Sequence, residues 1–366
     1  MKKRRLGISL YPERGTFEQD VAYMEKAAKL GFDVLFIALL GAGDRQQTID
    51  RYKPLLAKAK ELGFEIEADV NPMMFKKMGI NASFFSGPLD LSFFTELQVD
   101  ILRLDLGMND IEEAYLTKNK DHIKICVNGC NTMDHVGHVL AAGADPDMLL
   151  GCHNYYPHRY TGVSLEHFEK GSAPMVKHNL RLQSFVTSQN PDAFGPWPVT
   201  EGLPTMEMHR DWPIEAQVKH YVIMGYVNDI IISNAYATDA ELEAMAAANG
   251  EKIMFNLTPA EGLPEEQKQL LRTNVSVRGD SSEWLIRTFE TRLYGGGKVE
   301  PFHTVDIQPG DVLIDNNLYG QYSGEVQIAR KPMKNYGKTN VVGHIADYEV
   351  ALLPYMQGGK PFGFNF

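Results

Sequence analysis

The sequence predicts an α/β protein: a (β/α)8 TIM barrel over residues 1–249, followed by a small all-β domain over residues 250–366. Three observations predict it. In the first part of the chain, short β-branched or apolar runs alternate with amphipathic stretches, and that alternation means parallel strands joined by helical crossovers. There are eight such units, and about 250 residues is the usual length of a closed barrel. After Gly250 long helices give way to short strand-like runs and turn chemistry, such as Gly295-Gly296-Gly297 and Gln308-Pro309-Gly310-Asp311.

The barrel strands are expected at Leu6–Tyr11, Val34–Leu40, Glu65–Val70, Ile101–Leu106, Ile123–Asn128, Leu149–Tyr155, Leu182–Thr187 and Asp229–Ser233. Between them, Phe17–Leu30 and Gln46–Leu62 carry apolar residues at helical spacing. Thr16 is the expected N-cap of the first helix, and Gly31, Gly63 and Gly143 are stop signals. Strand one runs into Pro12-Glu13-Arg14-Gly15, with no GxGxxG phosphate loop, which argues against an open dinucleotide-binding sheet. The connection after strand seven is long and rich in Pro and aromatics (Phe194, Trp197), the composition of a lid or a pocket wall. In the second domain, strands are expected at Lys252–Asn256, Val275–Arg278, Trp284–Thr288, Asp311–Asp315, Glu325–Ala329, Asn340–Gly343 and Glu349–Leu353, all antiparallel.

Lys and Arg number 36 against 47 Asp and Glu, a net charge of −11, which disfavours nucleic acid as a partner. Local basic groups still permit a phosphorylated small molecule. The basic start Met1-Lys2-Lys3-Arg4-Arg5 lacks an apolar h-region behind it, and no apolar run reaches the ~20 residues of a membrane span. Three cysteines (Cys126, Cys130, Cys152) do not make a disulfide framework. A cytoplasmic protein with no membrane partner is the expectation, and whether it forms a homo-oligomer stays open.

Barrel enzymes place their chemistry where strands end. Period two puts Glu65, Glu67 and Asp69 on the inward face of strand three, and Arg103 and Asp105 on that of strand four. A charge at mid-barrel depth requires a partner, so Arg103 is expected to pair with Glu67. That leaves Asp69 and Asp105 at the mouth, and two converging carboxylates are the equipment of acid/base or glycosidic chemistry. Glu13 and Glu207 are reserve acids. Candidate substrate-binding residues are Asn128, His153, Asn154, Tyr155 and Gln183, with His158, Arg159 and Arg210 as groups for an anionic substituent. Each basic group has the alternative of an ordinary salt bridge. There is no HExxH, and Cys126-x3-Cys130 has no second pair, so neither a metal nor another cofactor is expected.

The chain resembles the MupG-like 6-phospho-N-acetylmuramidases. The resemblance rests on Leu6–Glu13, Glu67-Ala68-Asp69-Val70, Leu102-Arg103-Leu104-Asp105, Cys152–Pro157 and Gly202–Arg210, and in the second domain on Arg278-Gly279-Asp280 and Asp315–Glu325. It implies a TIM barrel followed by a cyclophilin-like domain. It also implies hydrolysis of a phosphorylated MurNAc-GlcNAc disaccharide in peptidoglycan recycling. Two other readings compete: a non-catalytic sugar-binding or surface protein, and a metal-dependent phosphosugar isomerase.

Overall fold

The computed structural model describes residues 4–40, 43–82, 87–131, 133–280, 282–295 and 298–366. The chain divides into two compact units. One holds residues 1–218 and 225–247; the other holds 219–224 and 248–366.

The first unit is a closed barrel of eight parallel strands in sequential order. They are β1 (Arg5–Leu10), β2 (Val34–Ala38), β3 (Glu65–Val70), β4 (Ile101–Leu104), β5 (Lys124–Asn128), β6 (Leu149–Cys152), β7 (Arg181–Val186) and β8 (Asp229–Ile232). Each expected barrel strand is found, within three residues at either end. Helix α1 (Phe17–Lys29) opens with a full capping box, in which Thr16 Oγ1 accepts from Gln19 N and Gln19 Oε1 accepts from Thr16 N. Gly31 and Gly63 follow α1 and α2 (Arg45–Glu61) with φ of 85° and 91°, a region a side chain disfavours and glycine enters freely. Two helices, α3 (Pro72–Met78) and α4 (Ser92–Glu96), join β3 to β4. The remaining crossovers carry α5 (Asp110–Leu116), α6 (His135–Ala141), α7 (Leu165–Lys177) and α8 (Ile214–Met224), and α9 (Asp239–Ala248) follows β8.

The long connection between β7 and α8 holds a short 3-10 helix, Glu207–His209. It is fastened to the β1 loop, because Arg14 Nη1 donates to Gly195 O and Trp197 O at 2.7 Å each. Phe194 also bridges to Ala235 just past β8. The barrel centre is filled by Val34, Phe36, Ile101, Cys126, Leu150 and Phe185, among others. Burying side chains of this size contributes roughly 1.5–3 kcal/mol each.

The second unit carries a seven-stranded sheet. Its strands are β9 (Ile253–Pro259), β10 (Val275–Ser276), β11 (Leu285–Arg287), β12 (Asp311–Asp315), β13 (Val326–Ala329), β14 (Thr339–Ile345) and β15 (Pro361–Asn365), in the spatial order β10-β15-β9-β14-β12-β13-β11. Helices α10 (Glu265–Leu271) and α11 (Glu290–Gly295) lie between strands. Three expectations are corrected. The sheet is not wholly antiparallel, since β15 pairs with β9 in parallel. The strand β15 was not foreseen. Glu349–Leu353 is no strand: Asp347–Val350 forms a helix (α12) and Leu353–Tyr355 a 3-10 turn. Glu349, the first residue of the expected strand, is instead a fully buried helix residue whose carboxylate accepts from Asn256 N at 2.8 Å, a polar anchor that apolar patterning does not reveal.

Candidate functional site

The barrel interior is layered, and the layers carry charge. At the amino ends of the strands, Asp229 is fully buried and clamped by Arg5 (2.9 Å) and Arg181 (2.5 Å). Glu65 beside it pairs with Arg5 and, at 2.7 Å, with Lys124. These ion pairs close the barrel floor.

The next layer holds Glu67 and Gln183, both fully buried. Gln183 Nε2 donates to Glu67 Oε2 at 2.6 Å and to Asp229 Oδ2 at 3.2 Å. Burial, opposed by the Gln183 bond, pushes the Glu67 carboxyl up to about 8, so it is mostly protonated at neutral pH. Cys126 and Cys152 lie here too, and with Glu67 they form a group of three whose ligand atoms fall within 4.8 Å of one another. Burial also pushes up the Cys126 thiol. With no ion bound, two of the three groups thus keep their protons, and a cation here would have to displace them.

Above this lies the cluster at the carboxyl ends of β3 and β4. Asp69 stands opposite Arg103 in register, with Glu67 opposite Ile101. Arg103 Nη1 donates to Asp69 Oδ1 at 2.6 Å and to Asp105 Oδ1 at 3.0 Å. Its Nη2 donates to Asn154 Oδ1. The expected Arg103–Glu67 pair is therefore corrected. The β3–β4 stagger sets Arg103 level with Asp69, and Glu67 needs no cation because it keeps its proton. The two carboxylate oxygens on the shared nitrogen lie within about 5.6 Å of each other, since 2.6 Å and 3.0 Å bound their separation. Asp69 and Arg103 are almost fully buried, whereas the Asp105 side chain is 30% exposed. Burial raises the Asp69 carboxyl to about 6; Arg103 opposes the rise and Asp105 adds to it.

Aromatic walls surround the cluster. The buried Tyr155 ring lies edge-on to Phe36 and Phe185, at 6.0 Å and 4.9 Å, and 5.9 Å from the Trp197 ring. Trp197 is 41% exposed and offers a face of the kind on which a sugar ring rests. Tyr11, buried at the end of β1, donates to Ser233 O.

Two further candidates support this cluster indirectly. His153 is fully buried, stacked on Phe168 at 4.2 Å, and burial lowers its pKa to about 3. Ser172 Oγ donates to Phe168 O, so the 2.9 Å contact to His153 Nε2 is a donation from the ring. Neutral His153 then turns a bare Nδ1 to the Cys130 thiol at 3.4 Å, whose sulfur accepts from Asn154 N at 3.1 Å and Tyr156 OH at 3.4 Å. Cys130, which sequence reasoning weighed only for a disulfide or a metal motif, thus holds Asn154 in place. Asn128 reaches Asp105 O at 3.4 Å and caps Cys130 N at 2.9 Å.

The structure draws the other candidates into a different network. Glu207 accepts from Tyr160 N (2.7 Å), Gly162 N (2.8 Å) and Arg210 Nε (2.8 Å). These bonds, the Arg210 one foremost, hold its carboxyl down to about 2. Arg210 also donates to the carbonyls of Tyr156, His158, Glu201 and Gly202. Arg159 forms a two-pronged pair with Asp211 at 2.9 Å on both arms, and exposed His158 bonds to Arg159 O at 2.6 Å. Glu13 accepts from Tyr52 OH of α2 at 2.6 Å. Among the described residues, none of these five side chains bonds to Asp69, Arg103 or Asp105.

Comparison with known proteins agrees with this architecture. The model of the 6-phospho-N-acetylmuramidase N-terminal region matches residues 6–247, and that of the C-terminal region matches residues 253–365. An uncharacterised protein from B. cereus, known as a crystal structure, shares 35% identity over the whole of both chains with a TM-score of 0.89. A conserved Enterococcus faecalis protein of unknown function shares 25% identity over 99% of this chain and 96% of its own, with a TM-score of 0.73. No curated protein matches the chain. Among the described residues, no helix is long and apolar enough to cross a membrane. With both halves matched in order, the chain belongs to the 6-phospho-N-acetylmuramidase family and is a glycosidase.

Proposed function

We propose that the barrel hydrolyses the glycosidic bond of a 6-phospho-N-acetylmuramic acid residue linked to N-acetylglucosamine, in the recycling of cell-wall fragments inside the cytoplasm. The observation that carries the reading is the pair of carboxylates, Asp69 and Asp105, held on one Arg103 nitrogen at the mouth. The upper limit of about 5.6 Å on the separation of these two oxygens admits the roughly 5–5.5 Å of double-displacement glycosidases and falls short of the roughly 6.5–9.5 Å of inverting ones.

In this reading Asp69, whose burial keeps its proton to higher pH, gives that proton to the leaving oxygen. Asp105, the more exposed of the two, supports the developing positive charge at the anomeric carbon. It does so either as nucleophile or by orienting the substrate's own acetamido oxygen. Trp197 and Tyr155 form the platform for the ring.

The test is hydrolysis of a phosphorylated MurNAc-GlcNAc disaccharide and of its unphosphorylated form. The wild type should cleave the first, and Asp69→Asn and Asp105→Asn should each lower kcat by about a hundredfold or more. Near-full activity in both variants would remove the assignment.

A further inference from the structure

The second unit has a cavity of its own, of about 760 Å³, a volume within the usual range for small-ligand sites. It opens at the face of β11, β12 and β13, beside the Asp315–Glu325 segment whose sequence stood out but which the barrel chemistry does not use.

Three classes of side chain line it. The first is aromatic: Trp284, Tyr319, Tyr322 and Tyr336 are 47%, 41%, 38% and 75% exposed. Aromatic rings left in water around one hollow require a reason. The second is cationic. Lys334 lies 5.7 Å from the Tyr336 ring centre and Lys338 lies 5.4 Å from that of Tyr319. Arg287 completes the set. Among the described residues Asp315 is the one acid in the lining; with Glu325 behind it offsetting Arg287, Lys334 and Lys338 supply the hollow's excess positive charge in a chain whose net charge is −11. Among the described residues, neither Lys334 nor Lys338 forms a salt bridge, in contrast to Arg103, Arg159 and Arg210 of the barrel unit.

The third class is a preorganised polar floor. Asp315 Oδ1 accepts from Thr339 Oγ1 at 2.8 Å and Oδ2 accepts from Gln327 Nε2 at 2.9 Å. Glu325 is fully buried behind it and fixes Arg287 through Nε at 2.7 Å and Nη2 at 3.2 Å. Arg287 is therefore held in one pose, and its Nη1 makes no bond among the described residues. Carboxylate, amide and hydroxyl groups on a rigid sheet are acceptors and donors for sugar hydroxyls. The rings offer faces for the C–H side of a pyranose, and the cations sit at their edges.

We propose that this cavity is a second carbohydrate site, taking a pyranose with an anionic substituent, phosphate or carboxylate. Its ring stacks on Trp284 and Tyr319, its hydroxyls meet Asp315 and Gln327, and its anion is held by Lys334, Lys338 and Arg287. The inference does not depend on the barrel's reaction.

Calorimetric titration of the full chain with N-acetylglucosamine 6-phosphate tests it, with N-acetylglucosamine, N-acetylmuramic acid and inorganic phosphate as comparison probes. Lys334 and Lys338 are exposed, so the double variant K334A/K338A should fold. It should bind the sugar phosphate about tenfold more weakly or worse, and Trp284→Ala should weaken it severalfold. Asp105→Asn should leave this binding event intact, whatever becomes of hydrolysis. Tighter binding of N-acetylmuramic acid than of the phosphate would assign the anion pocket to a carboxylate. Unchanged affinity in K334A/K338A, or inorganic phosphate binding as tightly as the sugar phosphate, would overturn the proposal.

Discussion

Asp69 and Arg103 face each other across β3 and β4 at the same register, and one nitrogen of that arginine, 2.6 Å from Asp69, reaches Asp105 as well at 3.0 Å. The guanidinium is thus both the counter-charge of the buried acid and the spacer that sets the second acid beside it. Its other arm ends on Asn154 of the β6 loop, so one side chain ties three strand ends into a rigid mouth.

Activity should depend on pH through Asp69. Burial raises its pKa from 3.8 to about 6, so the proton is retained up to that pH and lost above it. As a proton donor it should give a kcat/KM that declines as pH rises through about 6. Asp69→Asn should abolish that limb together with most of the rate. The measurement is a pH–rate profile of both enzymes; a wild-type rate that climbs steadily from pH 5 to 8 would contradict the role.

Removing Arg103 should cost more in stability than a surface ion pair does. Arg103→Met leaves Asp69 buried without its cation, a situation that costs about 3–5 kcal/mol when one partner of a buried pair is deleted. Denaturant unfolding near pH 7.5 should show this loss. At pH 4.5, where Asp69 is protonated, the penalty should shrink.

Glu67 makes the fold sensitive to alkali. Its pKa rises on folding from 4.5 to about 8, so the native state binds the proton more tightly and stability declines as pH climbs between those values. Glu67→Gln keeps an acceptor for the Gln183 amide and cannot ionise. Thermal melts should therefore place the variant near wild type at pH 5 and above it at pH 9, by up to a few kcal/mol.

Glu207 is expected to act through loop structure. Glu207→Ala deprives almost fully buried Arg210 of its carboxylate and two backbone amides of their acceptor, a loss of roughly 1–3 kcal/mol. The Glu207 pKa is depressed from 4.5 to about 2, so its contribution is present above 4.5 and disappears as pH falls toward 2. Melting of wild type and variant should converge in that acid range. At 25 °C and pH 7 the variant should keep most of its kcat.

Much of the barrel was legible because its signals are local. Apolar runs at Val34 and Ile101, a capping Thr16 and a stop at Gly31 each act within a few residues. Period two likewise put Asp69, Arg103 and Asp105 on inward faces, since alternation is a property of a single strand. The second unit was less legible. Its parallel β9–β15 pair joins residues about a hundred positions apart, and the expected strand at Glu349 is a helix whose buried carboxylate bonds to Asn256 N, far away in the sequence.

By itself the sequence determined the eight-fold alternation, the change of architecture after Gly250 and the choice of strands three and four as carriers of acids. Only the tertiary structure decided who pairs with whom. The stagger between β3 and β4 gave Arg103 to Asp69 and left Glu67 to Gln183, and the long loop folded Arg210 onto Glu207 and backbone carbonyls. Those outcomes rest on inter-strand register and on which charges lose their water, and both are set by neighbours distant along the chain.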